Sequence, residues 1–241
     1  ENEELLGGII SYNCHLTVLS SENLKISSEF PGSLLTNLEQ KFKKSKFLFV
    51  NGAAGDISSR FTRKSQTYEQ VKQFGIILAE KSEKQIKEQQ IFRNSENLNI
   101  FTKIFPLQSK KIRSLETIEK EIEEIKNKKD ENPRVLETML QGLEIEKNRD
   151  FQKDFLEYEA ELNILSLGDI FIITVPGEFY SYYQKEILNK NPNVLFIGYS
   201  NGYIGYVTEQ DHEKPVSYEE ASAHILAAEG QKILEFIKTK I

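Results

Sequence analysis

Four short segments of the sequence carry side chains that could bind or process a ligand, and each of them follows a predicted strand. In chain order they contain His15, the turn NGAAGDISS at 51–59, Glu178 in VPGEF, and the pair Tyr203 and Tyr206 in SNGYIGYVTE. The carboxyl ends of strands are where α/β sheets present their ligands. The sequence therefore predicts that these four segments share one position in the fold.

Each segment also has a purely structural explanation. A histidine at a strand end often only holds its loop, and a glutamate such as Glu178 before a helix is a favourable charge for the helix dipole. Tyr203 and Tyr206 could pack at a buried edge of the sheet. The turn at 51–59 has small residues that let a ligand approach the backbone, yet it could be an ordinary loop or a weak phosphate cradle. It lacks the Gly-Lys-Ser/Thr ending of a phosphate loop.

The composition excludes several classes of function. The 241 residues carry a net charge of -6 with lysines and glutamates mixed, and phosphate binding needs a concentrated basic face, so a nucleic-acid partner is not expected. The longest apolar runs, at 171–175 and 195–199, are far shorter than the roughly 20 residues of a membrane-spanning helix. No signal peptide is visible at the first residues, and the compartment stays open.

Few residues are available for a soft metal site. The sequence has three histidines, which are His15, His212 and His224, so it does not predict a metal site of histidines alone. His212 and His224 are interpreted as a loop residue and a helix-surface residue. Cys14 is the single cysteine, which rules out an internal disulfide and a cysteine-based structural zinc site.

Strand and helix signals alternate in the first and last thirds of the chain, which predicts an α/β fold with a mixed sheet flanked by helices. The first predicted strand lies in the segment 7–20, with His15 at or just past its end, and the others are 47–51, 157–167, 170–175 and 194–199. The predicted helices are 33–44, 67–87, 179–188 and 218–237.

Residues 109–154 differ from both neighbouring regions because they are dense in lysine and glutamate. Apolar residues spaced by three or four predict a first helix with a narrow apolar seam, and Asn132 and Pro133 end it before a second helix begins. The seam residues are Ile112, Leu115, Ile118, Ile122 and Ile125, followed by Leu136, Met139, Leu140, Leu143 and Ile145. The pattern predicts a charged helical hairpin inserted into the domain, with a coiled-coil dimer as the alternative.

The candidate segments resemble, in matching order, those of the neutral/alkaline, non-lysosomal ceramidase family. CHLTVLSSENLKISSEFPG at 14–32 is similar to its histidine block, NGAAGDISS to its Gly-Asp-x-Ser block and VPGEF to its Pro-Gly-Glu block. NGYIGYVTE and YEEAS at 218–222 are similar to its Tyr-x-x-Tyr-Val-Thr and Tyr-Glu-x-Ala-Ser blocks. Each block is weak alone, whereas four in order are specific. By this resemblance, residues 1–241 are the C-terminal part of the catalytic domain, and only the hairpin is unmatched.

The resemblance implies a zinc-dependent hydrolase of an N-acyl (amide) bond, with a zinc-bound water as the nucleophile. The substrate would be a lipid or small molecule, and family members are often exported or at the cell surface. By motif match, the metal ligands would be His15, Glu178 and Tyr206, the catalytic residues Ser58 and Tyr218, and the substrate-binding residues Gly55, Asp56 and Tyr203. Assigning Tyr206 rather than Tyr203 as the ligand depends on the alignment of the Tyr-Val-Thr segment.

The sequence departs from the family in three ways. The family's second histidine ligand lies in an upstream His-x-His block that these 241 residues do not contain, so a missing upstream half is expected. Ser59 and Arg60 follow the serine where the family has Pro-Asn or Pro-Arg, and Glu29 replaces an aspartate. Two alternatives therefore stay open: a catalytically inactive ceramidase-fold binding module that uses the hairpin to contact a partner, and a nucleotide-binding site at the turn 51–59.

Overall fold

The computed structural model describes residues 5–88, 97–111, 113–128, 132–148 and 157–241. Within these ranges it is a mixed α/β structure with parallel and antiparallel strands, which confirms the predicted fold class. The strands are β1 (Gly7–Ser11), β2 (Lys46–Val50), β3 (Leu98–Gln108), β4 (Glu157–Leu167), β5 (Ile170–Thr174), β6 (Glu178–Phe179), β7 (Val194–Ile197) and β8 (Tyr206–Val207). The α-helices are α1 (Glu29–Lys41), α2 (Tyr68–Glu88), α3 (Leu115–Lys126), α4 (Pro133–Lys147), α5 (Ser181–Lys190), α6 (Tyr218–Ser222) and α7 (Ala227–Lys238).

The first part of the fold is a parallel pair of strands, β1 and β2, against which α1 and α2 pack. Leu34 and Leu38 lie one turn apart on the same face of α1 and are fully buried. They contact Phe47 of β2 and Ala79 of α2 in one apolar cluster. This packing places the ends of β1 and β2 side by side, and both candidate loops of the N-terminal part leave from there.

The second part is a four-stranded sheet in the order β3-β4-β5-β7, with only the last pair parallel. The tight turn between β4 and β5 depends on Gly168, whose φ of 62° is readily adopted by glycine. Ile173 and Phe196 on the inner face pack with Phe179, Tyr183 of α5 and residues of α7. This core fixes the end of β5, after which the segment containing Glu178 begins.

The predicted charged hairpin is present over its described residues. Ile118, Ile122 and Ile125 of α3 pack against Leu143 of α4, so the apolar seam is filled within one chain. Arg113, just before α3, pairs with Glu146 at the end of α4, which shows that the two helices run antiparallel. Ile112 and parts of the predicted hairpin, at 129–131 and 149–154, lie outside the described residues. That the hairpin is an insertion stays a prediction.

A groove of about 520 Å³ lies where the hairpin meets the rest of the fold. Leu140 and Ile145 of α4 line it together with Tyr218 of α6. Gly142 permits this close approach, since a Cβ there would come within 2.9 Å of the Ala221 side chain. The helical hairpin thus reaches the first residue of the YEEAS segment.

The strand β3 is not predicted by the sequence pattern. It lies at the edge of its sheet and is exposed over most of its length, so the alternation that marks a half-buried strand is weak. Pro106 weakens the signal further because proline is confined to edge strands and bulges. The structure therefore adds an edge strand between the predicted second helix and the hairpin.

The predicted closing helix at 218–237 is wrong in its middle, where the chain is extended between α6 and α7. Ser109 forms an isolated antiparallel bridge with Ile225, and the Lys110 amide donates to the His224 carbonyl at 2.8 Å. Backbone pairing with the residues after β3 thus replaces the helical hydrogen bonds at this point. Helix α1 also differs, since it begins at Glu29 instead of residue 33.

No helix in the described ranges has the length and apolar character needed to cross a bilayer.

Candidate metal centre

The short parallel pair β6 and β8 brings the third and fourth candidate segments together. Glu178 pairs with Tyr206 in the register of these two strands, and the Glu178 amide donates to the Gly205 carbonyl at 2.9 Å. Gly177 is required here, because its φ is 92° and a Cβ would come within 2.5 Å of the Gly205 carbonyl oxygen. The glycines of VPGEF and NGYIGYVTE therefore allow the two backbones to meet.

Asn51, at the start of the turn, holds the loop that carries His15. Its side-chain oxygen accepts from the Cys14 amide at 3.2 Å, and its side-chain nitrogen donates to the Cys14 carbonyl at 3.1 Å. Its own carbonyl accepts from the Gly198 amide at 3.0 Å. One residue thus joins the first, second and fourth segments, and all four segments lie together although their strands belong to different sheets.

The imidazole of His15 lies between a carbonyl and a carboxylate. Its Nε2 is 3.3 Å from the Gly55 carbonyl oxygen, and its Nδ1 is 3.4 Å from Oε2 of Glu178. A carbonyl only accepts hydrogen bonds, so this contact requires a hydrogen on Nε2. Nδ1, which faces Glu178, has a lone pair in the neutral imidazole and an N–H in the imidazolium. In metal sites a ligating histidine commonly donates its other ring N–H to such a carbonyl.

Two tyrosine hydroxyls contact the buried carboxylate of Glu178, which is 7% exposed, and Tyr206 pairs with Glu178 in the strand register. Tyr203 donates to Oε1 and Tyr199 donates to Oε2 at 3.0 Å. The ring of Tyr206 meets that of His15 edge-on at 6.0 Å between centroids. Burial, with the nearby charge of Glu178, raises the pKa of all three phenols above its ordinary value, so they are neutral hydrogen-bond donors at neutral pH.

Tyr218 is the next aromatic residue in a series of ring contacts that runs from His15 through Tyr206. It is the first residue of α6, and its ring contacts that of Tyr206 edge-on at 5.9 Å between centroids. Because it also lines the groove beside α4, Tyr218 connects the His15 and Glu178 pair with that groove.

The other predicted residues of the turn have structural contacts in addition to their position near the site. Gly55 lies against the backbone of β6, where a Cβ would come within 2.5 Å of the Glu178 carbonyl oxygen. Asp56 accepts from the Ser181 amide at 2.6 Å and from its hydroxyl at 2.7 Å, which caps the start of α5. Ser58 accepts from the Arg60 amide at 3.1 Å and caps a 3₁₀ helix.

Sequence reasoning missed Tyr199, Asn51 and Gln184. Tyr199 lies two residues after the end of β7 and before the asparagine and glycine of the turn, whereas Tyr203 lies after them. Its position at a strand end was the available signal in the sequence. Gln184 of α5 accepts from Asn13 and from the Ala53 amide, both at 2.8 Å. Its long-range role has no local signal in the sequence.

His15 and Glu178 supply ligand atoms of the types that a zinc ion binds, and the spacing of these atoms suits zinc. Zinc binds imidazole nitrogen and carboxylate oxygen at 2.0–2.2 Å, and two such ligands at a tetrahedral angle lie roughly 3.3 Å apart. The separation of 3.4 Å between His15 Nδ1 and Glu178 Oε2 matches this value. Over the described part of the chain, no group of three or more histidine, cysteine, aspartate and glutamate side chains is placed to hold a metal, and the further donors near His15 are phenols.

Comparison with solved structures relates this geometry to a known fold. No protein-family model and no curated protein matches the sequence. The structure of the neutral ceramidase from Pseudomonas aeruginosa superposes with a TM-score of 0.63 at 14% identity, covering 96% of this chain and 43% of that one. A ceramidase complexed with C2 gives a TM-score of 0.64 at 14% identity, covering 96% and 44%.

The chain thus has a fold similar to that of these ceramidase structures. The resemblance predicted from the four segments is confirmed at the level of the fold. The chain spans less than half the length of the ceramidase structures that it matches.

Proposed function

We propose that this chain forms part of a zinc-dependent amide hydrolase of the ceramidase type, in which His15 and Glu178 hold the metal. One observation carries the proposal: on a ceramidase-like fold, Nδ1 of His15 and Oε2 of Glu178 face each other at 3.4 Å, a separation that suits two ligands of one zinc ion. Two acceptor atoms that face each other at this distance repel unless a proton or a cation lies between them.

The electrostatics of Glu178 support a cation at this point. The carboxylate is buried, and the one ion pair found for it among the described residues is with His15. Hydrogen bonds from Tyr199 and Tyr203 offset part of the cost of burying a negative charge. A bound divalent ion would supply the missing opposite charge.

The remaining groups suit an amide substrate. Zinc supplies Lewis-acid activation of water and of a carbonyl group when it is bound. Tyr206 and Tyr218 place phenols beside the pair, where a donated hydrogen bond to a developing oxyanion is typically worth about 3 kcal/mol. The hydroxyl of Ser58 is a further candidate donor, since its bond to Arg60 uses only a lone pair. An N-acyl chain could extend from Tyr218 into the groove beside α4.

The alternative is a non-catalytic binding module with the same fold. It is favoured by the local contacts of Asp56 and Ser58, because both side chains already cap helices. In that case the hairpin would be the contact surface, and His15 and Glu178 would be a structural pair.

Metal analysis and activity of the whole protein separate the two functions. Zinc content would be measured by mass spectrometry, and hydrolysis would be tested with a fluorogenic N-acyl sphingosine and an N-acyl amino acid. We expect bound zinc, chelator-sensitive hydrolysis, and loss of both in His15→Ala and Glu178→Gln. Glu80→Gln, which changes an exposed carboxylate on α2, is the matched control. Folded wild-type protein without zinc, or variants that retain zinc and activity, would overturn the proposal.

A further inference from the structure

Three arginines lie together where the loop after the small-residue turn meets the helical hairpin. The guanidinium of Arg60 donates to the hydroxyl of Thr138, which lies one turn after Arg134 on α4. Arg134 in turn donates to the Arg60 carbonyl at 3.4 Å. Arg63, three residues after Arg60, donates to the Thr17 carbonyl. Arg60, Arg63 and Arg134 form what we call the arginine cluster.

The positive charges of the arginine cluster act on one another. Burial and, after it, the charges of Arg60 and Arg134 lower the pKa of Arg63 below its ordinary value. The carboxylate of Glu29 acts on Arg63 in the opposite direction, but its Oε1 accepts from the Leu19 amide at 2.7 Å. Like charges held together in this way repel, and a bound anion would relieve that repulsion.

The arginine cluster retains most of its hydrogen-bonding capacity. A guanidinium has five N–H donors, and within the described ranges each of the three donates one hydrogen bond, to a hydroxyl or a carbonyl. Arg113, the remaining arginine of those ranges, instead pairs with the carboxylates of Glu121 and Glu146. Arg60 and Arg63 are half-buried and Arg134 is exposed, so a ligand can reach the cluster from solvent.

The arginine cluster borders the candidate metal centre. His15 and Ser58 form an isolated parallel bridge. Arg60 follows Ser58 by two residues, and Thr17, whose carbonyl Arg63 contacts, follows His15 by two residues. Two residues of extended chain span at most about 7 Å. Both segments of the bridge therefore lead from the candidate centre to the cluster, within reach of the far end of a short substrate head group.

The charge and shape of the arginine cluster suit a phosphate monoester. The planar fork of a guanidinium matches two phosphate oxygens, and three guanidinium groups favour a doubly charged group over a singly charged carboxylate. The positive end of α4, whose first turn contains Arg134, adds to this attraction.

We propose that Arg60, Arg63 and Arg134 bind a phosphate monoester group on the amine part of the substrate. The charged hairpin then contributes to specificity, because it supplies Arg134. The substrate class becomes an N-acyl compound with a phosphorylated head group. This assignment to a substrate rests on the proposed function, whereas binding of phosphate by the cluster does not.

Phosphate binding by the whole protein tests the site directly. Calorimetric titration with inorganic phosphate would be done in chelator, so that phosphate cannot bind through a metal. We expect Arg60→Gln and Arg134→Gln each to weaken binding at least about 10-fold, because each removes charge-assisted hydrogen bonds. Lys64→Gln, which removes an exposed positive charge from the same loop, is the matched control and should bind as wild type does. Arg134 is exposed, so its variant tests the site even if Arg60→Gln fails to fold.

A matched pair of substrates tests the assignment to a substrate. N-acyl phosphoethanolamine and N-acyl ethanolamine differ only in the phosphate group. We expect kcat/KM of the wild type to favour the phosphorylated compound at least about 10-fold. Arg134→Gln should lose most of this preference, and Lys64→Gln should keep it.

The opposing outcomes are distinct. Equal weakening in Lys64→Gln and the arginine variants would overturn the site in favour of non-specific attraction. Affinity for phosphatidylcholine vesicles containing phosphatidic acid, without affinity for inorganic phosphate, would overturn it in favour of a membrane surface. Hydrolysis of both substrates at equal rates would overturn the assignment to a substrate and leave the proposed function intact. Phosphate binding by a wild type that neither binds zinc nor hydrolyses either substrate would uphold the phosphate site and overturn the proposed function.

Discussion

The hairpin and the candidate metal centre both bury glutamates, yet they stabilise them in different ways. In the hairpin, Glu121 is 7% exposed and Glu146 is 5% exposed, and both pair with the guanidinium of Arg113. In the centre, Glu178 is 7% exposed and has two phenols and an imidazole around it. Arg113 thus gives the two hairpin carboxylates a full positive charge, whereas the contacts of Glu178 in the described part of the chain are two phenol hydrogen bonds and the imidazole of His15. Under the proposed function, a bound cation would balance the charge of Glu178.

The largest expected effect is the loss of the guanidinium. Arg113→Leu leaves two buried carboxylates without a cation, and breaking a buried pair in this way costs about 3–5 kcal/mol. The measurement is the free energy of unfolding in denaturant. Lys147→Met is the control, because it breaks a 2.9 Å pair with Glu119 that is exposed to solvent and therefore contributes little to stability. Equal losses in the two variants would contradict the distinction between buried and exposed pairs.

Zinc should stabilise the centre and leave the hairpin's contribution unchanged. At a free concentration 100 times its dissociation constant, a ligand that binds only the folded state adds about 2.7 kcal/mol to the free energy of unfolding. The gain should be present in Lys147→Met and absent in Glu178→Ala. A zinc-dependent gain in Glu178→Ala would show that the ion binds elsewhere.

Removing one charge at a time should affect the two regions in opposite ways when metal is absent. Glu121→Gln weakens a charge-assisted pairing in which Arg113 contacts both carboxylate oxygens at 2.8 Å, so we expect a loss of about 1–3 kcal/mol. Glu178→Gln relieves an incompletely balanced charge and should leave metal-free stability unchanged or slightly higher. Thermal and denaturant unfolding in chelator would measure both. A comparable loss in Glu178→Gln would mean that Glu178 is already balanced.

The carboxylate of Asp56 is stabilised in a third way, because it accepts a hydrogen bond from the first backbone amide of helix α5. Asp56→Ala removes the contacts to Ser181 and should cost about 1 kcal/mol of unfolding free energy. Asp56→Asn should lose less, because an amide oxygen can still cap the helix. With Asp56 acting as a cap, kcat/KM of the folded Asp56→Asn enzyme should stay close to that of wild type. A large fall in kcat/KM without a loss of stability would instead support the predicted role in substrate binding.

Local patterns were sufficient to predict most helices and the buried strands. The Ile118, Ile122 and Ile125 spacing gives the hairpin seam, and the alternation after residue 157 gives β4. The failures occur where long-range backbone pairing decides the structure. β3 is an exposed edge strand that β4 completes, and the break between α6 and α7 is imposed by the residues after β3.

The site was predictable as a set of segments but not as a set of atoms. Strand-end positions and family order brought His15, Glu178 and Tyr206 to attention together. The particular hydroxyl that reaches the pair depends on a left-handed backbone at Tyr199 and on glycines that admit the neighbouring chain. These are properties of the folded turn, and a list of motifs does not contain them. The same holds for Asp56, whose helix partner is far away in the sequence.

The contacts of Asn51 have a consequence for how the protein folds. His15 and the turn belong to the part of the chain before residue 89, whereas Glu178 and the tyrosines belong to the part after residue 96. Asn51 to Gly198 and Gln184 to Asn13 cross between these two parts. His15 and Glu178 can therefore come together only after the two parts have docked, and an ion bound between them, as proposed, would link the two parts. Metal occupancy would then report assembly of the molecule, not the folding of either part by itself.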